Sequence, residues 1–205
     1  MNILFIIVLC LLPILLFLDW TKKFRDKYPD TFGYILSLVG TFVGIVLGLY
    51  FTNIQEHKDK KAATVKILQA SKEELQWLNK RCDLVIESLD TIPNSKRDKF
   101  LALDIPPFFS ESLRSQIIVE MLQPVSIEQF NIIKENLVFD TKTMREDFKN
   151  KNIDEIRKDK LDYKKQLQLA ITIIENEVAL IEGNLKTDVF ENKSKEDLKL
   201  LMEDN

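Results

Sequence analysis

The sequence predicts an all-α protein: an N-terminal two-helix transmembrane hairpin, then an up-and-down helical bundle built on long, antiparallel, coiled-coil-like helices. Three observations predict it. Residues 32–51 carry no charged side chain. Beyond Phe51, apolar residues recur at alternating three- and four-residue steps over long stretches, as one face of a helix requires. No stretch alternates apolar and polar residues as a half-buried strand would. The 205-residue chain is therefore expected to divide into a hairpin, 1–52, with spans at about 3–20 and 32–51, and a soluble helical domain, 53–205.

The second apolar run is the firmer span. A bilayer core about 30 Å thick takes about 20 apolar residues in helical form, the length of 32–51. Tyr34 and Tyr50 fall near its ends, where amphipathic rings favour the interface. The hydroxyls of Ser37, Thr41 and the flanking Thr31 and Thr52 can bond back to their own helix. The first run, Ile3 to Leu18, is shorter and is interrupted by Pro13. A cleaved signal peptide is its rival reading. The start Met1-Asn2 lacks a basic residue, and the exit Phe17-Leu18-Asp19-Trp20 lacks small residues. Trp20 suits an interfacial anchor, so a retained helix kinked at Pro13 is expected. The connection, Asp19–Thr31, is read as a short loop bearing Lys22, Lys23, Arg25 and Lys27. A second basic group, Lys58, Lys60, Lys61 and Lys66, follows the second span. The two groups oppose each other under the positive-inside rule. The lack of a secretory disulfide tilts the expectation to a cytoplasmic soluble domain.

The strongest local pattern is Gly40-Thr-Phe-Val-Gly44-Ile-Val-Leu-Gly48, two overlapping Gly-x-x-x-Gly motifs. Residues four apart share a helix face, and Gly33 and Ser37 extend that face toward the N-terminus. Four of the five glycines lie on it. In lipid, small residues let backbones approach closely and gain dispersion contacts, so this face is expected to pack a helix. The expected partner is residues 3–18 of the same chain, a second copy, or another membrane protein; the rival reading is that glycine is simply common in membrane helices.

In the soluble part, a helix is expected from Asn53 to Leu89, with Leu68, Ser71, Leu75, Leu78, Cys82, Val85 and Leu89 as a heptad seam. Val65, Trp77, Leu84 and Ile86 widen the stripe toward a bundle face. No Pro or Gly separates this helix from the membrane span, which implies a continuous helical stalk ended by Pro93. The connector 91–109 holds Pro93, Pro106 and Pro107, with Phe100, Leu101 and Leu103 packed. Phe108 and Phe109 stand out as a plug for one end of the bundle, a partner contact or an interfacial anchor. A helix is expected from Ser110 to Leu122. Ser126 and Gln129 match a capping box opening the next helix, with Phe130, Ile133 and Leu137 inward. A last long helix, Ile153 to Leu185, carries the seam Leu167, Ile171, Ile174, Val178, Ile181 and Leu185. A short helix from Ser194 to Met202 follows.

The chemistry is sparse. The net charge of −3 gives no electrostatic reason to expect nucleic acid as a partner. With one histidine, His57, there is no Ser-His-Asp triad to assemble, and the soluble part has only Gly183, too little for a phosphate-cradling loop. Of the two cysteines, Cys10 lies in the first apolar run and Cys82 reads as a small buried residue. The runs Lys72-Glu73-Glu74 and Arg157-Lys158-Asp159-Lys160 read as solvated faces. Glu175 and Glu177, two apart, do not face each other on a helix. No catalytic residue, cofactor, metal ligand or small-molecule substrate is expected.

The stretch Leu38-Val-Gly-Thr-Phe-Val-Gly-Ile-Val-Leu-Gly-Leu-Tyr-Phe-Thr-Asn53, running into charged helix through Leu89, resembles a type of uncharacterised bacterial membrane protein. In that type a Gly-containing membrane helix continues into an Asn- and Glu/Lys-rich coil. The likeness covers about a quarter of the chain. It implies a bacterial inner-membrane location and, since some such proteins belong to accessory or anti-phage gene sets, a scaffold or effector role; it carries over no functional residue. The expectation is a membrane-anchored helical interaction module that assembles with itself or another membrane protein. A membrane-perturbing oligomeric effector is the rival, and an enzyme with an unrecognised site the third reading.

Overall fold

The computed structural model describes residues 19–91, 103–147 and 152–203, together with Leu11. Among these residues every regular element is a helix: α1 (Asp19–Lys27), α2 (Pro29–Ser88), α3 (Pro107–Ser112), α4 (Gln116–Met121), α5 (Pro124–Asp147), α6 (Ile153–Ile181) and α7 (Thr187–Glu203). The chain forms two compact units, Met1–Asp59 and Lys60–Asn205, and α2 contributes to both.

In the first unit the expected loop after residue 18 is instead helical through α1, and Tyr28 alone separates α1 from α2. Pro29 has no N–H to donate, which interrupts the ladder there. The bonds on either side persist: the Tyr28 N–H donates to the Phe24 carbonyl at 2.9 Å, and the Phe32 N–H to the Tyr28 carbonyl at 3.0 Å. Among the described residues one helix, α2, is long and apolar enough to cross a membrane. The expected first span lies outside the described residues except for Leu11 and its last two residues, Asp19 and Trp20, which open α1.

The second unit is a helical bundle with one core. All seven residues of the expected α2 seam, Leu68 to Leu89, are buried. They meet Phe109 and Ile118 from the short helices, Phe130, Ile133 and Leu137 from α5, Tyr163 and Leu167 from α6, and Leu201 from α7. Trp77 and Leu84 depart from expectation: both point to solvent, and the Arg81 guanidinium lies 5.6 Å over the Trp77 ring. On α6 the seam is displaced from the expected one. Ile156, Lys160, Tyr163, Leu167, Ala170, Ile174 and Glu177 are buried at steps of four and three, while Ile171, Val178 and Ile181 are half-buried.

Three ion pairs fix the register of α2 against α6. Lys72 meets Glu175, Asp83 meets Lys164, and Asp90, just past the end of α2, meets Arg157. From 72 to 83 the partner retreats from 175 to 164, and from 83 to 90 it retreats from 164 to 157. These steps are three and two helical turns, so the pairs lie along one stripe. Exposed pairs of this kind add about 0–1 kcal/mol each, and their contribution here is alignment rather than stability.

The helix ends show where local chemistry decides. Pro107 and Pro124 each occupy the first position of their helix, where a missing N–H costs nothing. Three backbone donors at these helix starts are met from the long helices. Glu74 on α2 accepts from the Phe108 and Phe109 N–H groups at 3.1 and 2.8 Å, and Glu177 on α6 accepts from the Gln123 N–H at 3.1 Å. The expected capping box at Ser126 and Gln129 does not form, because α5 already starts at Pro124 and both side chains are buried inside it. A capping box forms instead on α6, where the Asn152 side chain accepts from the Glu155 N–H at 2.9 Å and the Glu155 carboxylate accepts from the Asn152 N–H at 3.1 Å.

The expected helix 110–122 is two short helices, separated by Leu113, Arg114 and Ser115. The expected helix end at Leu185 falls earlier, at Ile181, because Gly183 takes φ +79°. The Asn184 N–H then donates to the Ala179 carbonyl at 2.8 Å and the Gly183 N–H to the Leu180 carbonyl at 3.1 Å, the pairing of a Schellman stop. The last helix starts at Thr187, one turn and more before Ser194. Pro93, Phe100 and Leu101 lie outside the described residues, whereas Leu103 is buried as expected.

Candidate functional site

The glycine face of α2 is built by helix periodicity alone. Gly33, Ser37, Gly40, Gly44 and Gly48 are all exposed. A Cβ added at any of the four glycines would meet nothing within 4 Å. None has positive φ, so no turn requires glycine there. In water each would lower helix propensity by about 1 kcal/mol relative to Ala. Nothing among the described residues uses the space they leave.

The covered side of the span is a different stripe. Phe32 and Val43 are buried, and Leu36, Val39, Leu47 and Tyr50 are half-buried. At 100° per residue this stripe stands roughly 100° round the helix from the glycines. Residues 3–10 and 12–18, the intramolecular candidate for packing the glycines, lie outside the described residues. The hydroxyls behave as a lipid environment demands. Thr41 Oγ1 donates to the Ser37 carbonyl and Thr52 Oγ1 to the Gly48 carbonyl, each at 2.9 Å.

The two adjacent phenylalanines part company. Phe109 is buried, and its ring meets that of Phe130 edge-on with centroids 5.6 Å apart. Phe108 is 43% exposed. One therefore plugs the bundle, and the other remains available for contact. His57 is exposed, beside Lys58.

Sequence reasoning missed two titratable groups, and both sit in the α6 seam. Lys160, expected on a solvated face, is fully buried. Burial pushes its ammonium down to about 8, helped by Arg81 and opposed by Cys82, Asp159 and Asp140. Around it, burial pushes the Cys82 thiol up to about 11 and the Asp140 carboxyl up to about 6, the latter reinforced by Asp162 and Asp159. The Tyr163 hydroxyl donates to the Asp104 carbonyl at 2.9 Å. These groups converge, yet Lys160, Cys82 and Tyr163 show no surface to solvent. A thiol raised by burial is a poor nucleophile.

Glu177 is the second missed group. It is fully buried, and burial raises its carboxyl above the ordinary range, against the pull of the Gln123 N–H. The Ser126 hydroxyl is near enough to favour the ionised form without reaching hydrogen-bonding geometry, and Glu177 Oε2 accepts no bond. The legible signal was the step of three and four from Ile156, which passes through both Lys160 and Glu177. Two shallow surface grooves lie among the described residues. One, of about 280 Å³ along α5, is lined by Lys134, Val138, Phe139 and Lys142; the other, of about 300 Å³, lies by Lys72 and Glu175.

Among the described residues no group of three His, Cys, Asp or Glu side chains is placed to hold a metal ion. No known protein family, curated protein or solved structure matches the chain.

Proposed function

We propose that this protein is a non-enzymatic, membrane-anchored helical module that assembles with itself or with another membrane protein through the glycine face of α2. The anchor is a two-span hairpin, 1–52, in a bacterial inner membrane. It carries a cytoplasmic antiparallel bundle, 53–205, which serves as a scaffold or as an accessory subunit of a larger system.

One observation carries the anchoring. Of the apolar window in α2, only 6% is buried. Tyr34, Leu38, Phe42, Ile45, Leu49 and Phe51 all stand exposed. A core helix of a water-soluble fold would bury such side chains. Here they need lipid or a partner as solvent. The open glycine face supports assembly, since in lipid it offers the closest approach on the helix. The stepped ion pairs between α2 and α6 support the antiparallel bundle.

The test is crosslinking of the full chain in membranes. Gly44→Leu fills the face and is expected to abolish crosslinked oligomers. Unchanged oligomers in that variant would rule out assembly through this face. The same open face favours a second reading, a membrane-perturbing oligomer whose soluble unit restrains it. Dye leakage from loaded vesicles discriminates, because a scaffold leaves them sealed.

A further inference from the structure

We propose that α1 is an interfacial helix that binds the anionic headgroups of the bilayer. This rests on the membrane-anchored reading above and specifies which lipids the anchor contacts.

The composition of α1 is that of an interface rather than a plain connector. Its nine residues hold Lys22, Lys23, Arg25 and Lys27 against Asp19 and Asp26. Lys22, Lys23 and Lys27 are exposed. Phe24 and Tyr28, one helical turn apart, are 42% and 46% exposed, with ring centroids 5.7 Å apart. Two touching aromatic rings left open to water are unfavourable. At the boundary of a bilayer, rings of this kind sit at headgroup depth while lysine stems extend to the phosphates.

The geometry keeps α1 at that boundary. Hydrogen bonds of helical spacing continue across Tyr28, so there is no slack between α1 and the apolar stretch. From Tyr28 to Phe32 the helical rise is about 6 Å. If Phe32 to Phe51 is embedded, α1 begins within a headgroup's depth of the hydrocarbon. The cations are already paired with rings there: Lys27 Nζ lies 5.2 Å from the Tyr28 centroid and the Arg25 guanidinium 5.9 Å from that of Phe32. Lys27 and Arg25 thus flank the aromatic stripe, while Lys22 and Lys23 lie away from it, an arrangement that suits a helix at the interface. Its opposite in charge is an anionic lipid surface, which basic residues near a membrane attract within a Debye length.

The experiment uses the full chain carrying Trp77→Phe, which leaves Trp20 as the donor, in phosphatidylcholine vesicles. Trace dansyl-phosphatidylglycerol or dansyl-phosphatidylcholine serves as the acceptor. Energy transfer to the anionic probe is expected to exceed transfer to the neutral one by about threefold or more. The preference should vanish in molar salt, and also when Lys22, Lys23, Arg25 and Lys27 are all replaced by Gln. Equal transfer to both probes from a chain that floats with the vesicles overturns this inference and leaves the anchor standing. A preference that survives both salt and neutralisation overturns it as well. A chain that fails to float with either vesicle overturns the anchored reading itself.

Discussion

The two halves of α2 use the same kind of residue in opposite ways. Between Pro29 and Asp59, Tyr34, Leu38, Phe42, Ile45, Leu49 and Phe51 point outward, with Phe42, Leu49 and Phe51 about two-thirds exposed, and only Phe32 and Val43 are buried. Between Lys60 and Ser88 they point inward, and Leu68, Leu75 and Leu78 are almost completely covered. The backbone is helical throughout, so secondary structure does not distinguish the halves. What distinguishes them is periodicity. The inner half centres its apolar residues on one three-four stripe, leaves Trp77 and Leu84 exposed, and places Lys, Arg, Asp and Glu on its other faces. The outer half has no charge over 32–51 and presents apolar groups all round. A helix apolar on every side is buried in a large core or in lipid, and the outer half is not buried in a protein core.

The largest effect that separates the halves is a paired truncation. Leu75→Ala should cost the bundle about 2–5 kcal/mol, because a fully buried side chain leaves a cavity. Leu49→Ala in detergent should change thermal unfolding by less than about 0.5 kcal/mol, since no packed neighbour is lost. Equal losses would mean that the outer half is packed like the inner one.

Next comes Lys160, which faces the inner seam near Cys82. Lys160→Met should raise stability at pH 7 by roughly 1–3 kcal/mol, because a buried ammonium is replaced by an apolar chain of similar length. The pH dependence fixes the sign. The folded-state value of about 8 lies below the ordinary 10.5, so between these values the unfolded chain binds more protons and stability rises with pH. Below about 8 both states are charged and the full burial penalty persists. Urea titrations from pH 7 to 10.5 should show this rise in the wild type and lose it in the variant.

Glycines offer a third contrast. Gly183→Ala should cost about 1 kcal/mol, since the left-handed backbone at the end of α6 disfavours any Cβ. Gly40→Ala should cost the fold nothing, because the added methyl meets no atom within 4 Å. A loss at Gly40 seen only in the assembled protein would mark the face as an interface. The smallest effect is at Glu177. Its raised carboxyl means that the folded state holds the proton longer than the unfolded chain. Its contribution is complete below the ordinary carboxylate value and is lost as pH climbs through the folded one. Glu177→Gln should flatten that decline; a slope identical to wild type would place its origin in other groups, Asp140 first.

The inner seam of α2 was legible because every member is apolar or small, so the pattern matches a template directly. The α6 seam was not, because Lys160 and Glu177 occupy two of its seven places and a charge normally marks the solvent side. The purely apolar pattern runs instead through Ile171, Val178 and Ile181, one position round, which are half-buried. The cap at Ser126 misled for a related reason. Its Ser-x-x-Gln spacing is correct, but Pro124 starts the helix earlier and a carboxylate from a residue 54 positions away takes the neighbouring donor. Long-range partners of this kind leave no local trace. The glycine face was legible as a face, since spacing alone defines it. What covers it is a property of another surface, and spacing carries no information about that.

The most direct measurement is alkaline carbonate extraction of membranes from cells producing the full chain. The protein is expected to stay with the membrane pellet and leave it only in detergent, because the exposed apolar side chains of α2 need lipid around them. Release into the carbonate supernatant as a soluble, monodisperse species would contradict it.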